Sequence, residues 1–447
     1  MKRYEATLID NQFGQEISNN EATKEEGNMD QNSTFQSSAI PGGMSVKSRR
    51  AALTAAIFLM ATSAIGPGFI TQTATFTTKL GAAFAFAILA SILIDFVVQL
   101  NIWRIVTLTK MRASDIANAA IPGTGYLLAI LVIVGGLFFN IGNIGGSGLG
   151  LNAMLGLDPK WGGAISALIA IGIFSSKRAG LAIDRLIVVA GVLMILLTLY
   201  VAIVSGPPVG DALFQTFLPS TIDFATITTI VGGTVGGYIT YSGAHRLLDK
   251  GTVGIENLGA VNRAALTGIA VTGLMRYVLF LAILGVVASG VVIDVSGKGA
   301  NPAAQAFQAA AGDVGFRIFG AVLWFAAITS VIGAAYTSVS FITVFKKDIS
   351  ERARNIATVI FIAVSLFFYV VITTPPAQML VFVGGLNGLI LPIGLSIFIY
   401  AAWARSDLMG GYRYPRWLLA LGVLVSALTW YMGYKSIGPI FALLTAA

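Results

Sequence analysis

The sequence predicts an all-α integral membrane protein of about eleven transmembrane helices, laid out as two inverted five-span repeats with one extra span. Three observations carry this. The 447 residues are 56% hydrophobic and only 11% charged, against about 25% charged residues in soluble domains. Long apolar stretches recur along the chain, with basic residues crowded into every second connecting loop. The first and sixth stretches, five apart, are each interrupted by glycine in mid-span, the layout of transporters whose broken helices meet at the bilayer midplane.

Taken in order, residues 1–50 are polar, mixed in charge and poor in aromatics, which predicts a disordered cytoplasmic tail. Apolar stretches follow near 52–79, 82–108, 124–155, 161–175, 184–204, 224–247, 264–289, 314–344, 353–373, 377–403 and 417–435. The first repeat then covers 51–204, the second 224–403, and the extra span lies in 404–447. Lys47, Arg49 and Arg50 precede the first span, and Lys110 and Arg112 follow the second. Lys177, Arg178 and Arg185 follow the fourth; Arg246, Lys250 and Arg263 follow the sixth. Lys346, Lys347, Arg352 and Arg354 continue the series, as do Arg405, Arg413 and Arg416, whereas the alternate loops hold only Lys79, Lys160, Lys298 and Arg317. This places the amino terminus in the cytoplasm and the carboxyl terminus outside, in a multi-pass protein of the cell membrane. The net charge of +8 is thereby a topology signal and gives no reason to expect nucleic acid. The chain has no cysteine, which excludes disulfides, thiolate metal sites and thiol catalysis.

In the first span Gly66-Pro67-Gly68 breaks the helix, and Thr71, Gln72, Thr73, Thr75, Thr77 and Thr78 follow. Proline removes a donor and glycine lets the backbone leave the helical well, so peptide groups around the break lose their intrahelical partners. In hydrocarbon each such group is unfavourable by several kcal/mol unless it is buried in protein or lines a wet cavity. In the sixth span Gly232-Gly233 and Gly236-Gly237 precede Tyr238, Thr240, Tyr241 and Ser242. Small residues also serve close helix packing, but the pairing of the two interruptions favours a solute site.

At this point the residues resemble the NRAMP family of metal-ion transporters over about 52–435. The resemblance rests on Gln99, Arg104, Asp115, Leu151-Asn152, Gly156, Pro219-Ser220 and Val231-Gly232, and implies the family's LeuT-like inverted repeat of spans 1–5 and 6–10. It does not carry over the family's metal ligands. The family's Asp-Pro-Gly-Asn and Met-Pro-His breaks have Gly66-Pro67-Gly68-Phe69 and Gly236-Gly237-Tyr238 as counterparts here. The family's acidic pair in the third span, which relays protons, falls at Asn140 and Asn143, and an amide takes up no proton near neutral pH.

A bare divalent ion needs anionic, soft or several neutral oxygen ligands. The two breaks instead offer main-chain groups with Thr71, Gln72, Tyr238 and Tyr241, and Asn140 and Asn143 nearby. Helix amides freed at Gly66–Gly68 and Gly236–Gly237 suit a carboxylate. The expected solute is a small organic anion or zwitterion: an amino acid, a cyclic amino-acid derivative or a short carboxylic acid. A divalent cation, Mg²⁺ or Mn²⁺ as in the parent family, is the alternative, with Mg²⁺ held through its waters. No resident cofactor is expected, and the coupling ion is Na⁺ or H⁺.

Asp95 and Arg276 fall near mid-membrane in spans two and seven, counterparts under the repeat. A mutual ion pair is the simplest reading, with substrate or proton work as the alternative. Thr337 and Ser338 in span eight match by resemblance the Thr-Ser pair that holds Na⁺ against span one in related symporters, although such hydroxyls also back-bond within helices. His245 is expected at the cytoplasmic interface. Gly145, Gly146, Ser147 and Gly148 read as a packing face, Pro375-Pro376 as an external turn, Pro392 as a kink, and Asn387 as a cross-helix or solute contact. The chain contains no His-Glu-x-x-His, nucleophile-elbow serine or buried carboxylate cluster for an intramembrane enzyme. Nor does its asymmetric succession of spans make the rings of like groups that a channel filter uses.

Overall fold

The structure, a computed structural model, describes residues 49–50, 52–54, 56–57, 61, 64–175, 192–295, 297, 299–346, 349–372 and 374–445. The predicted tail up to residue 48 and the loop with Lys177, Arg178 and Arg185 lie outside them. Every regular element among the described residues is a helix.

The helices are α1 (Pro67–Leu80), α2 (Phe84–Thr109), α3 (Ala113–Ala120), α4 (Thr124–Leu155) and α5 (Pro159–Ser175). Next come α6 (Val192–Val204) and α7 (Val209–Phe217), bent 108° from one another. The second half of the chain gives α8 (Phe224–Thr234), α9 (Ile239–Asp249), α10 (Leu258–Ala288), α11 (Pro302–Val339), α12 (Glu351–Val371), α13 (Pro376–Ala404) and α14 (Arg416–Thr445). Seven stretches among the described residues are long and apolar enough to cross a membrane, or eight with the bent pair counted.

The three remaining predicted spans, the first, fourth and sixth, fall outside that count for separate reasons. Helix α1 runs into α2 as one apolar stretch, Pro67–Thr109, although Gly81 at φ +56° turns the chain between them. Helix α5 has 17 residues. The sixth stretch is divided into α8 and α9, of 11 residues each.

Local sequence sets the ends of these helices. Asp223 caps α8 by accepting from the amides of Ala225 (2.9 Å) and Thr226 (3.2 Å), and it also holds Lys79 Nζ at 2.8 Å. Asn301 and Ser350 cap α11 and α12 in the same way. Gly156, at φ +74°, closes α4 by donating to Asn152 O at 2.8 Å, which gives two of the family-like residues a structural role. Gly312, at φ +63°, kinks α11.

Burial works to raise the Asp223 pKa, but the bond from Lys79 and those at Thr226 outweigh it and hold the carboxyl below its usual range. A depressed carboxyl pKa adds stability that is present above the unfolded value, about 3.9, and is lost as pH falls through the folded one. Asp223→Ala should therefore lower stability by about 1 kcal/mol at neutral pH. Thermal melts of the two proteins should converge in acid.

Candidate functional site

Gly66 leaves the helix in an extended conformation, φ −68° and ψ −178°, and Pro67 opens α1 immediately after it. The segment is buried from Pro67 to Ala74. One turn on, Gln72 donates from Nε2 to Leu380 O on α13 at 3.0 Å, while its Oε1 has no partner. The amide fills a slot between α8 and α13: a Cβ added to Gly233 would lie 2.7 Å from Gln72 Nε2, and one added to Gly384 would lie 3.0 Å from Gln72 Cδ. Thr71 is buried beside it.

The second interruption is a turn over residues 235–238. Gly237 has φ +58°, and a side chain there would place its Cβ 2.7 Å from Asn387 Cγ. Glycine is thus required twice over at this position, by backbone conformation and by space. Asn387 donates to Gly135 O (3.2 Å) and Val383 O (3.0 Å), tying α13 to α4, and its Oδ1 has no partner. Gly236 packs equally close to Asn387 O, at 2.8 Å from an added Cβ.

Phe139 of α4, which sequence reading did not single out, lies between the two breaks. Its ring meets Tyr238 edge-on at 5.3 Å between centroids, and its Cε1 would be 3.7 Å from a Cβ on Gly68. The beginnings of α1 and α9 therefore both abut one aromatic ring. Pro67 also meets Gly146 of α4, consistent with the packing face read there. Phe139 carried no pattern beyond an apolar helix position, and its neighbour Asn140 offered the only local signal.

Other predicted residues are placed elsewhere. Asn140 donates to Ser365 Oγ on α12 at 3.1 Å, with Oδ1 unpartnered; Asn143 is buried with Nδ2 unpartnered. Tyr241 lies in an aromatic cluster with Phe341 (5.1 Å), Phe398 (5.9 Å) and His245 (6.2 Å), one turn along α9 from the break. Ser338 Oγ faces Gly136 of α4, and neither it nor Thr337 Oγ1 has a partner. Residues 58–60 and 62–63 of span one lie outside the described residues.

Asp95 and Arg276 meet. Arg276 Nη2 donates to Asp95 Oδ2 at 3.1 Å, and both side chains are fully enclosed.

His245, expected at the cytoplasmic end of the sixth span, is 0% exposed within the protein. Its Nε2 accepts from the Ala113 amide at 3.1 Å, so the imidazole is neutral with its hydrogen on Nδ1, which donates to Ser340 Oγ at 2.7 Å. Four residues on, Asp249 binds Arg112 at 2.5 Å, accepts from the Tyr336 hydroxyl, and has Arg354 at 3.9 Å. The signal was present in the sequence, since Tyr241, His245 and Asp249 are spaced four apart and share one helix face.

Among the described residues no group of three or more His, Cys, Asp or Glu side chains stands together in a way that could hold a metal ion. The site's polar groups are amides, hydroxyls and main chain.

The family model for natural resistance-associated macrophage protein-like proteins matches residues 57–437. The chain is 53% identical over 381 residues to the uncharacterized membrane protein YcsG of Bacillus subtilis, covering 85% of this chain and 93% of that protein. It is 51% identical over 393 residues to an uncharacterized membrane protein of Haemophilus influenzae, covering 88% and 97%. Among solved structures it superposes on a point mutant of the manganese transporter of Eremococcus coleocola with a TM-score of 0.70 at 14% identity, covering 92% of this chain and 91% of that one. It also superposes on MhsT in complex with L-phenylalanine, with a TM-score of 0.57 at 18% identity over 87% and 97%.

Proposed function

The chain belongs to the natural resistance-associated macrophage protein-like (NRAMP) family of multi-pass membrane transporters and is not an enzyme; from that premise we propose that it moves a small carboxylate or amino-acid-like solute by alternating access. The observation behind this reading is that two helix beginnings, at Pro67 and Tyr238, abut the Phe139 ring, while among the described residues no group of three or more His, Cys, Asp or Glu side chains could hold a metal ion. Helix beginnings carry positive partial charge and free amide donors, which favour an anion by about 0.3–1 kcal/mol each near a surface and more when desolvated. An aromatic wall suits the apolar body of an organic solute rather than an ion.

The reading takes the split sixth stretch as one broken span and α1 with the residues before Gly66 as another, so that with α5 the count returns to eleven. The amino terminus is then cytoplasmic and the carboxyl terminus external in the cytoplasmic membrane, as the basic loops argue.

One observation favours a second reading. Gln72 Oε1, Asn387 Oδ1 and Asn140 Oδ1 are buried amide oxygens without partners, and such oxygens can bond the water shell of a hydrated Mg²⁺. The manganese-transporting relative gives this reading its family precedent.

Thermal-shift measurements on the purified protein separate the two. A ligand present at 100 times its Kd adds about 2.7 kcal/mol of stability. A small carboxylate or amino acid should raise the melting temperature while Mg²⁺ and Mn²⁺ leave it unchanged; a shift with the metals alone would overturn the proposal in favour of the hydrated ion.

A further inference from the structure

We propose that Asp95 is the proton-binding site of the transport cycle, and that Arg276 is the group an incoming carboxylate takes over when Asp95 is protonated. The inference rests on the carboxylate reading above for its second half only.

The pair is built unlike a structural bridge. Arginine presents five N–H donors and a carboxylate two acceptor oxygens, and their strong geometry is the two-bond fork. Here a single bond joins Nη2 to Oδ2 at 3.1 Å, while Asp95 Oδ1 and Arg276 Nε and Nη1 have no partner although all are buried. Idle buried donors and acceptors oppose folding, so native proteins keep few of them without a use.

Its position is suited to coupling. Asp95 is the one acidic residue among the fully buried polar side chains of the described residues, whereas the largely enclosed Asp249 is engaged by Arg112, Arg354 and the Tyr336 hydroxyl. Ser91, Asp95 and Gln99 lie four apart on one face of α2, all buried, and Gln99 Nε2 is also unpartnered. The pair joins α2 to α10, and the guanidinium carbon lies 5.8 Å from the ring centroid of Phe69, the residue that follows Gly68 at the first break. The pair thus touches the half-helix that begins at the site.

Charge balance gives the mechanism. With Asp95 ionised, the pair is neutral overall. If a proton from water adds to Oδ1, forming the O–H bond of a neutral carboxyl, Arg276 is left as an uncompensated buried cation, a strongly unfavourable state. A carboxylate arriving at the idle Nε–H or Nη1–H, each of which forks with Nη2 once Asp95 is neutral, restores neutrality. Proton and anion are therefore bound together more readily than either alone, and each raises affinity for the other by the same factor. The coupling ion on this account is H⁺ rather than Na⁺.

The test needs no known solute. Infrared difference spectra of the full-length protein in lipid nanodiscs, titrated with acid alone, report protonated carboxyl groups directly. A band from Asp95 should appear on acidification, shift in frequency in Asp95→Glu, and vanish in Asp95→Asn. Arg276→Gln should move its midpoint upward by about one pH unit or more, a tenfold gain in proton affinity. Asp95→Asn with Arg276→Gln leaves no unpaired charge and serves as the folded control should either single variant fail to assemble. No Asp95 band down to the acid limit of the folded protein, or a midpoint indifferent to Arg276, overturns the proton site whatever the solute proves to be. The carboxylate half is read separately, in proteoliposomes containing a pH dye. Entry of the carboxylate that stabilises the protein should acidify the lumen, and whatever uptake Asp95→Asn retains should lose its dependence on external pH. Entry without acidification overturns that half.

Discussion

Gly68→Leu should assemble with wild-type stability and lose uptake by at least about tenfold, equivalent to 1.4 kcal/mol. Gly68 has a helical backbone, and a Cβ there would meet only ordinary contacts: Phe139 Cε1 at 3.7 Å, Gln72 Nε2 at 3.8 Å and Leu380 Cδ2 at 4.0 Å. Alanine in this position should even stabilise the fold slightly, by about 0.4–1 kcal/mol, because it restricts the unfolded chain. The longer leucine side chain would project between the first break and Phe139, where the two helix beginnings converge. Gly237 faces the same region but is a poor probe. Any side chain there meets Asn387 and demands positive φ, so lost uptake would report lost structure. Uptake by Gly68→Leu equal to wild type would show that solute passes elsewhere; a melting temperature well below wild type would show that the contacts around Gly68 are tighter than they look.

What the sequence disclosed follows from how far each feature reaches along the chain. Both interruptions were legible because glycine and proline act on their own backbone, and Asp95 and Arg276 because a charge within an apolar run announces itself. Asn387 and the glycines of α4 were visible as small or polar groups, but not what they touch. Gln72 reaches Leu380 across 308 positions, and His245 reaches Ser340 across 95. No local periodicity encodes such pairs. Eleven apolar stretches were expected where seven or eight helices among the described residues are long and apolar enough to cross, since Gly81, at φ +56°, turns the chain between α1 and α2 inside one apolar run and the sixth stretch is split. The aromatic wall at Phe139 was hidden for the opposite reason: in a chain this apolar, one more aromatic residue carries no contrast.

The second large effect is expected at Asp249. Its carboxylate holds Arg112 from the α2–α3 link, the Tyr336 hydroxyl of α11 and, more loosely, Arg354 of α12, whose guanidinium also lies 5.8 Å over the Tyr336 ring. On the alternating-access cycle proposed above, α9 would move against its neighbours, and this carboxylate ties it to the α2–α3 link, α11 and α12. Removing one partner of a largely buried charge network is unfavourable by about 3–5 kcal/mol, because Arg112 and Arg354 are left without their shared anion. Asp249→Ala should therefore lower the melting temperature by several degrees. It should also shift the resting population toward the state open on this face, tenfold for each 1.4 kcal/mol by which the closed state is selectively weakened. The cysteine-free sequence makes the second effect measurable. Thr240→Cys replaces a buried hydroxyl that has no partner, and so introduces the protein's one thiol at little structural expense. Maleimide should label that thiol at least about tenfold faster with Asp249→Ala than without it. A fall in stability with unchanged labelling would make Asp249 a fastener common to both states of the cycle, and the gate would have to be sought at another contact of α9, such as Trp103 Nε1 donating to Thr240 O at 3.0 Å.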